Sequence, residues 1–278
     1  MSILGNQSKV VNMKRDELNC SKIEQLKNIG DKEKIHSRWS LNPSYPAPTD
    51  AELVGLKVAE ELNLSDCVIQ TSGVSVRLGS HIDPYLTYLL CADAYEFGDL
   101  RLISDYAIRA KKAVVMGGGI GVIAAALANK SGANVTVYDA NSNLIKYIND
   151  TGNINEVNLI TKHAAIAKVG GASTKFYLSS EFWASSTNAD AYKYSTTVEV
   201  QTIAFLDALD DAEIAFIDIE GGEVDLFFDK VPSTLNQIFI EIHTPSIGSA
   251  KGCEIMNRIW NQGFKLVEIE GLTSFWSR

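Results

Sequence analysis

The segment 112–139 constrains the fold more than any other part of this 278-residue chain. A short apolar stretch at 113–116 is followed by a glycine-rich turn at 117–121 and then by apolar residues at helical spacing. A second apolar stretch, 134–138, leads to Asp139. This order predicts a strand, a turn, a helix and a second strand parallel to the first, because parallel strands need a crossover connection.

The same alternation of strands and helices continues towards the C-terminus. Further strands are predicted at 157–160, 214–219 and 237–242, a late helix ends near Gly263, and 264–276 forms a closing hairpin. The prediction is an α/β fold, a mostly parallel sheet with helices on both faces and an antiparallel closing hairpin. Residues 170–200, rich in Ser, Thr, Ala and Tyr, are predicted to form an insertion over one edge of the sheet.

Residues 1–110 are predicted to be an α+β extension that covers the substrate or forms an oligomer contact, and residues 111–278 the main domain. Residues 1–48 are polar and end in a Pro-rich run. Helices are predicted near Glu24 and from Thr49. A β-hairpin is predicted around Ser72-Gly73, and Asp83-Pro84 is predicted to begin a helix that Gly98 ends.

Composition and charge limit the partners and the cellular location that the chain can have. Hydrophobic residues make up 46% of the chain, enough for a sizeable core, and the formal net charge is -9. An acidic surface repels phosphate groups, so no nucleic-acid partner and no membrane partner is predicted. The four cysteines form no CxxC pair, the polar first thirty residues predict no signal peptide and no apolar run could span a bilayer, so a cytoplasmic location is predicted.

The turn at 117–121 has the chemistry of a nucleoside-cofactor site. Backbone N–H groups at a helix N-terminus attract a polar or anionic ligand, and glycine lets that ligand approach the main chain. Asp139, about 20 residues further on, can accept hydrogen bonds from both hydroxyls of a ribose. The spacing Gly117-x-Gly119-x-Gly121 is usual for S-adenosylmethionine, whereas 119–124 also satisfies the pattern of NAD enzymes. The turn alone leaves both cofactors open.

A second group of polar residues follows two later strands. Asp218, Glu220 and Glu223 surround a Gly-Gly turn after one strand, and Glu241 and His243 end the next. Carboxyl ends of neighbouring parallel strands face one crevice, so these five side chains are predicted to converge. They include candidate general bases and structural acids at a helix N-terminus.

These segments together resemble the FkbM family of S-adenosylmethionine-dependent methyltransferases. The resemblance rests on the turn after the first strand, on 137–141, on Ile217-Asp218-x-Glu220-Gly221-x-Glu223 and on Glu241-Ile242-His243. Upstream, Tyr95-Glu96-x-x-Asp99 resembles a Tyr-Glu element of the family, and the likeness covers roughly residues 74 to 278. It implies a Rossmann-like class I methyltransferase fold with S-adenosylmethionine as methyl donor. The resemblance, together with the glycine turn and Asp139, predicts the following cofactor-binding residues: Glu96, Gly117, Gly119, Gly121, Asp139, Ala140, Asn141, His163 and Asp218.

Two departures from the family pattern bear on the cofactor. Met116 stands where the family usually has an acidic residue, which removes one expected contact to the methionine part of the cofactor. Gly118 and Gly119 replace the commoner Ala-Asn and make the turn more flexible.

The function predicted from the sequence is methylation of a hydroxyl oxygen on a small molecule or saccharide. A hydroxyl is a poor nucleophile until its proton is removed, so Asp218, Glu220 and His243 are the predicted catalytic residues. No metal is assigned, and a homo-oligomer is allowed. Two alternatives stay open, namely an NAD(P)-dependent oxidoreductase, although no Tyr-x-x-x-Lys pair occurs after residue 160, and a cofactor-binding protein without turnover.

Overall fold

The computed structural model describes residues 53, 57, 67–79, 82–179, 182–191, 193–227 and 229–278. The predicted helix near Glu24 and most of the one from Thr49 lie outside these residues. The chain divides into two units, 1–97 and 98–278, and this division precedes the predicted boundary after residue 110.

In the first unit, strands β1 (Cys67–Thr71) and β2 (Val74–Leu78) pair antiparallel, which confirms the predicted hairpin. Helix α1 (Pro84–Cys91) begins where predicted, because the carboxylate of Asp83 accepts a hydrogen bond from the N–H of Leu86 at 2.8 Å.

The predicted end of that helix at Gly98 is wrong. Helix α1 ends at Cys91, and Gly98 lies near the start of the next helix, α2 (Phe97–Tyr106). Asp93 and Glu96 between the two helices have left-handed backbone angles, φ 59° and 51°. Left-handed residues interrupt a right-handed helix, and the apolar spacing that continues across them does not reveal the break.

The second unit alternates strands and helices as predicted. In chain order after α2 they are β3 (Lys112–Met116), α3 (Val122–Ser131), β4 (Asn134–Asp139), α4 (Ile145–Ile154), β5 (Leu159–His163), β6 (Ala165–Ala167), β7 (Ser173–Leu178), β8 (Thr196–Ala204), α5 (Phe205–Leu209), β9 (Ile214–Ile217), β10 (Gln237–Glu241), α6 (Thr244–Ile247), α7 (Ser249–Asn261), β11 (Lys265–Glu270) and β12 (Thr273–Ser277). Short 3₁₀ turns lie at Phe182–Ala184 and Gly222–Asp225.

Seven of these strands form one sheet in the order β11-β12-β10-β9-β3-β4-β5. The pairs from β10 through β9, β3 and β4 to β5 are parallel, whereas β12 is antiparallel to both β10 and β11. A mostly parallel sheet with one reversed strand in a closing hairpin is the Rossmann-like class I methyltransferase fold, so the predicted fold class is confirmed.

The central strands are buried on both faces. Val114 and Met116 of β3 belong to a core cluster with residues of α5 and α7, while Ala113 and Val115, which point to the other face, are buried as well. Unbroken apolar strands of this kind are typical of parallel sheets covered by helices on both sides. Among the described residues, no helix is long and apolar enough to cross a membrane.

The segment predicted as an insertion contributes to a second, smaller sheet. Its three strands follow the order β6-β8-β7, with β8 antiparallel to β7 and parallel to β6. Tyr177 and Tyr194 from the aromatic part of the segment contact each other, with ring centroids 4.8 Å apart. The aromatic side chains therefore include one pair that packs within the insertion.

Candidate active site

The carboxyl ends of four neighbouring strands bring the predicted site residues together. Met116 at the end of β3 lies opposite Tyr138 of β4 and Ile217 of β9, so the residues that follow these strands leave the sheet at one edge. The N–H of Gly117 donates to the carbonyl oxygen of Tyr138 at 2.9 Å, and the N–H of Asp218 donates to that of Met116 at 2.8 Å. The glycine turn therefore lies between Asp139 and Asp218.

The glycines of the turn are required by contacts within the protein. A Cβ added to Gly117, whose φ is 89°, would lie 1.6 Å from the carbonyl oxygen of Asp218. A Cβ on Gly118 would lie 2.5 Å from Cδ1 of Ile148, and one on Gly121 would lie 3.0 Å from the Cα of the same isoleucine. No Cβ fits at Gly117, where the neighbour is backbone, whereas at Gly118 the end of the Ile148 side chain would have to shift. Close packing of the protein thus accounts for these glycines independently of any ligand.

Asp139 holds the turn in place. Its Oδ2 accepts hydrogen bonds from the N–H groups of Gly118 at 2.9 Å and Gly119 at 3.1 Å, and its Oδ1 accepts one from Asn141 at 2.7 Å. Burial raises the pKa of Asp139 to about 6, although these three N–H groups favour the charged form. Two N–H groups that the sequence analysis expected to face a ligand are therefore engaged with this carboxylate.

The other predicted cofactor residues of the second unit lie beside Asp139. His163, at the end of β5, lies opposite Asp139 in the strand register, and its Nε2 is 3.1 Å from the carbonyl oxygen of Ala140. The side-chain oxygen of Asn141 accepts a hydrogen bond from the N–H of Asn143 at 3.1 Å. Glu96 belongs to the first unit.

Beside the turn, a carboxylate–imidazole cluster is centred on His243. The Nδ1 atom of its ring is 2.7 Å from Oε1 of Glu223, and its Nε2 atom is 3.1 Å from Oε2 of Glu220. Carboxylate oxygens of Asp218 and Glu241 lie 3.5 and 3.7 Å from the same Nε2. The five residues predicted to converge do so, with one imidazole among four carboxylates.

Burial and charge oppose each other at His243. Burial alone lowers the pKa of the imidazole, but the charges of Glu220, Glu223 and Glu241 outweigh it and hold that pKa well above 6.5. At Glu241 burial has the opposite effect and raises the pKa of the carboxyl, whereas the nearby His243 lowers that pKa. His243 therefore carries its proton at neutral pH and donates hydrogen bonds to Glu223 and Glu220.

Two residues of this region are absent from the sequence-based candidates. Asp99 on α2 is buried, has a carboxylate oxygen within 4.8 Å of one of Glu241, and accepts a hydrogen bond from Oγ1 of Thr273 at 2.6 Å. An acid beside the apolar residues of a helix was the signal that could have revealed it. Ser186 donates to the carbonyl oxygen of Glu220 at 2.6 Å, and no sequence pattern marks it.

Asp218, Glu220 and His243 also have the donor types that divalent cations take, with one donor atom from each within 4.8 Å of the others. The Nε2 atom of His243, the nitrogen that such an ion would need, is at hydrogen-bond distance from Glu220. In the structure these donor atoms contact one another, with Nε2 of His243 3.1 Å from Oε2 of Glu220 and 3.5 Å from Oδ1 of Asp218.

Comparisons with known proteins give weak likenesses. No curated protein matches the chain. Solved structures with similar folds include a ribosomal protein L11 methylase from Lactobacillus delbrueckii subsp. bulgaricus, with 12% identity, a TM-score of 0.40 and coverage of 66% of this chain and 77% of that one. Another is precorrin-6y C5,15-methyltransferase from Geobacter metallireducens, with 12% identity, a TM-score of 0.39 and coverage of 68% and 88%.

One family model matches part of the sequence. It describes the C-terminal domain of alanine dehydrogenase/PNT and matches residues 93–204. The matched segment contains the glycine turn and Asp139 and ends before Asp218.

Proposed function

We propose that this chain is an S-adenosylmethionine-dependent methyltransferase that methylates a hydroxyl oxygen of a small molecule or sugar. One observation carries the proposal. The backbone of Gly117 lies directly against the backbone of Asp218, so the glycine turn and the carboxylate cluster border the same edge of the sheet. In open α/β sheets, ligands bind outside the carboxyl ends of the strands. A cofactor on the turn would therefore lie beside groups able to accept a proton.

The charges of the site fit this cofactor. The carboxylates of Asp218 and Glu220 are partly exposed, and they would attract the sulfonium and ammonium groups of S-adenosylmethionine. Oδ1 of Asp139 accepts one hydrogen bond, from Asn141, which leaves it capacity to accept another from a ribose hydroxyl. Met116 is fully buried and would make no contact with the cofactor.

When bound, S-adenosylmethionine supplies an electrophilic methyl group. In that transfer the acceptor oxygen would take the methyl group from the sulfur, and the hydroxyl proton would pass to a base of the protein. His243 already carries a proton, so among the three candidates a carboxylate is the better acceptor, and we assign the role to Glu220 or Asp218. His243 would then orient the Glu220 carboxylate through the 3.1 Å contact.

Methylation of oxygen rather than nitrogen or carbon rests on the resemblance to the FkbM family. The segment from Asp218 to Glu223 and the pair Glu241 and His243 carry that resemblance, and these residues form the cluster. A carboxylate base suits a hydroxyl acceptor, whose proton must be removed during transfer. These observations support our choice of a hydroxyl compound as the acceptor.

A second candidate function is an NAD(P)-dependent oxidoreductase. The observation that favours it is the match of residues 93–204 to the alanine dehydrogenase/PNT C-terminal domain, which includes the turn and Asp139. This reading gives no role to the cluster around His243, which lies beyond the matched segment. We therefore rank it second.

Calorimetric titration of the full chain with S-adenosylmethionine, S-adenosylhomocysteine and NAD+ separates the two. We expect saturable binding of the first two and none of NAD+. Binding of NAD+ alone would overturn the proposal. Transfer of a labelled methyl group to a panel of sugars and phenols then tests turnover, and tight binding without transfer to any acceptor would favour a binding protein without turnover.

Two matched variants test whether methyl transfer depends on Glu220. Glu220→Gln removes the proposed base while keeping the shape of the side chain, so binding of S-adenosylmethionine should persist while transfer falls about 100-fold or more. Glu199→Gln, an exposed position on β8, should leave both unchanged. Equal transfer by the Glu220→Gln variant and the wild type would remove Glu220 from the role and leave Asp218.

A further inference from the structure

Glu220 has a backbone conformation that it would not adopt without support. Its φ is 53°, in the left-handed region, and the next residue, Gly221, has φ 95°. Glycine adopts such angles readily, whereas a residue with a long side chain does so at a cost in free energy. Contacts around Glu220 must therefore hold it in this conformation.

Ser186 supplies such a contact. Its Oγ donates a hydrogen bond to the carbonyl oxygen of Glu220 at 2.6 Å and accepts one from the N–H of Asn188 at 3.0 Å. Ser186 is only 2% exposed. The backbone groups of Ser186 and Tyr177 are paired in both directions, at 2.8 and 3.2 Å. The hydroxyl that reaches Glu220 is thus fixed on both sides by the insertion that carries β7.

The φ of Glu220 sets the direction in which its Cβ leaves the backbone. With its peptide held, Glu220 places Oε2 at 3.1 Å from Nε2 of His243. The opposite side of the same ring is fixed by the bond of Nδ1 to the fully buried Glu223, at 2.7 Å. Once its carbonyl is released, relaxation of the Glu220 φ out of the left-handed region would turn Cβ and move the carboxylate away from a ring that cannot follow.

We propose that Ser186 is a positioning residue, which fixes the peptide of Glu220 and so aims the Glu220 carboxylate at His243 and at the acceptor hydroxyl. The part that concerns the acceptor rests on the proposed function. The insertion around Ser186 is then more than a cover of the sheet edge, because it sets the geometry of the proposed base.

The hydrogen bond between Nε2–H of His243 and Glu220 provides a direct measurement. In the full chain labelled with ¹⁵N-histidine, the Nε2 and Hε2 signals of His243 are assigned by through-bond correlation to its backbone. Glu220→Gln defines the full displacement of these signals. We expect Ser186→Ala to displace them in the same direction by at least half as much.

Ser195 offers a matched control. It lies beside the same small sheet, and its Oγ also donates to a backbone carbonyl, that of Leu178 at 3.1 Å. Ser195→Ala should leave the His243 signals in place. Signals that stay unchanged in Ser186→Ala, but move in Glu220→Gln, would overturn the proposal. Should Ser186→Ala fail to fold, two other variants test the proposal. Ser186→Thr keeps the hydroxyl and must keep the wild-type signals. Ser186→Cys lacks the hydroxyl and must displace them.

A kinetic measurement tests the part that depends on methyl transfer. Once an acceptor is methylated, Ser186→Ala should lower kcat by roughly tenfold to a hundredfold, with the affinity for S-adenosylmethionine unchanged. Ser186→Thr should restore most of the rate. An unchanged kcat in Ser186→Ala would contradict the positioning role. A chain that does not bind S-adenosylmethionine would instead refute the proposed function, and the histidine signals would still decide whether Ser186 aims Glu220.

Discussion

At the scale of single residues, the carboxylate of Asp139 stabilises the glycine turn in the absence of any ligand. It accepts three backbone hydrogen bonds, two of them from the glycine turn. Burial nevertheless raises its pKa to about 6, from an ordinary value of 3.8. Asp139 thus binds its proton more tightly in the folded chain than in the unfolded one.

This pKa predicts a stability that falls as the pH rises. Between pH 4 and 6 the unfolded chain releases the Asp139 proton while the folded chain retains it, so ionisation lowers the free energy of unfolding by up to roughly 3 kcal/mol. Asp139→Asn has no proton to release. The difference in unfolding free energy between this variant and the wild type should therefore shift in favour of the variant from pH 4 to 6, as measured by urea denaturation.

An exposed aspartate gives the control for that experiment. Asp190→Asn, in the insertion, should follow the wild type at every pH. Parallel curves for Asp139→Asn and the wild type would show that Asp139 titrates alike in both states and would contradict the prediction.

The buried pair of Glu223 and His243 should contribute strongly to stability. Oε1 of Glu223 accepts from the ring of His243 and from the N–H of Gly221, and the side chain has no exposed surface. Glu223→Ala leaves both donors buried without this acceptor, and we expect a loss of about 2–5 kcal/mol in the free energy of unfolding.

The surface pair of Glu254 and Arg258 on α7 is the comparison. Glu254 is 58% exposed, so Glu254→Ala should cost about 0.5 kcal/mol or less in the same denaturation measurement. Similar losses in the two variants would mean that the Glu223–His243 pair is solvated in solution.

At the scale of elements, local pattern predicted the hairpins and the strands of the seven-stranded sheet, but it predicted neither every boundary nor the three strands of the smaller sheet. The strand predicted at 157–160 is observed at Leu159–His163, and the helix predicted to continue to Gly98 ends at Cys91. The apolar pattern continues past the end of helix α1, whereas β5 continues past the apolar pattern into polar residues 161–163, which pair with β4. Hydrogen bonds to distant segments, such as those of Asp93 to the β1–β2 turn, decide such ends and leave no local pattern.

The connection between β3 and the turn provides a prediction about glycine. Gly117→Ala would place a Cβ on the carbonyl oxygen of Asp218 and keep an unfavourable φ of 89°, and we expect a loss of about 4 kcal/mol or more or a failure to fold. Gly171 has nearly the same φ, 87°, but open space around it.

Gly171→Ala therefore isolates the backbone strain, which should cost about 1 kcal/mol. Thermal or urea denaturation of both variants measures the difference. Equal losses would show that strain alone, rather than the contact between β3 and β9, requires glycine at 117.

At the scale of the second unit, helix α2 contacts strands β11 and β12 at the other end of the sequence. Nη2 of Arg101 on α2 contacts Glu268 at 2.6 Å and also Glu270, both on β11, and the hydroxyl of Tyr106 donates to Glu268 at 2.5 Å. The ring of Tyr106 stacks on that of Phe275 of β12. These contacts join segments more than 160 residues apart in the sequence.

Loss of these contacts should lower the free energy of unfolding of the second unit. Arg101→Gln should lower the free energy of unfolding by about 1–3 kcal/mol, and less at high salt, because the lost hydrogen bonds are charged and only partly screened. Lys112→Gln breaks pairs with Asp210 and Asp211 at a half-exposed position and should cost less stability than Arg101→Gln. A larger loss from Lys112→Gln than from Arg101→Gln in urea denaturation would contradict this ranking.

The sequence by itself determined the alternation of strands and helices, the closing hairpin and the acids that follow the strands, because apolar periodicity and turn residues act over a few positions. Only the tertiary structure decided that Gly117 lies against Asp218, that Asp139 holds the turn, and that Ser186 reaches Glu220. These contacts depend on the order of strands in the sheet and on the placement of the insertion. Such long-range packing joins residues 20 to more than 100 positions apart, a distance over which local pattern carries no information.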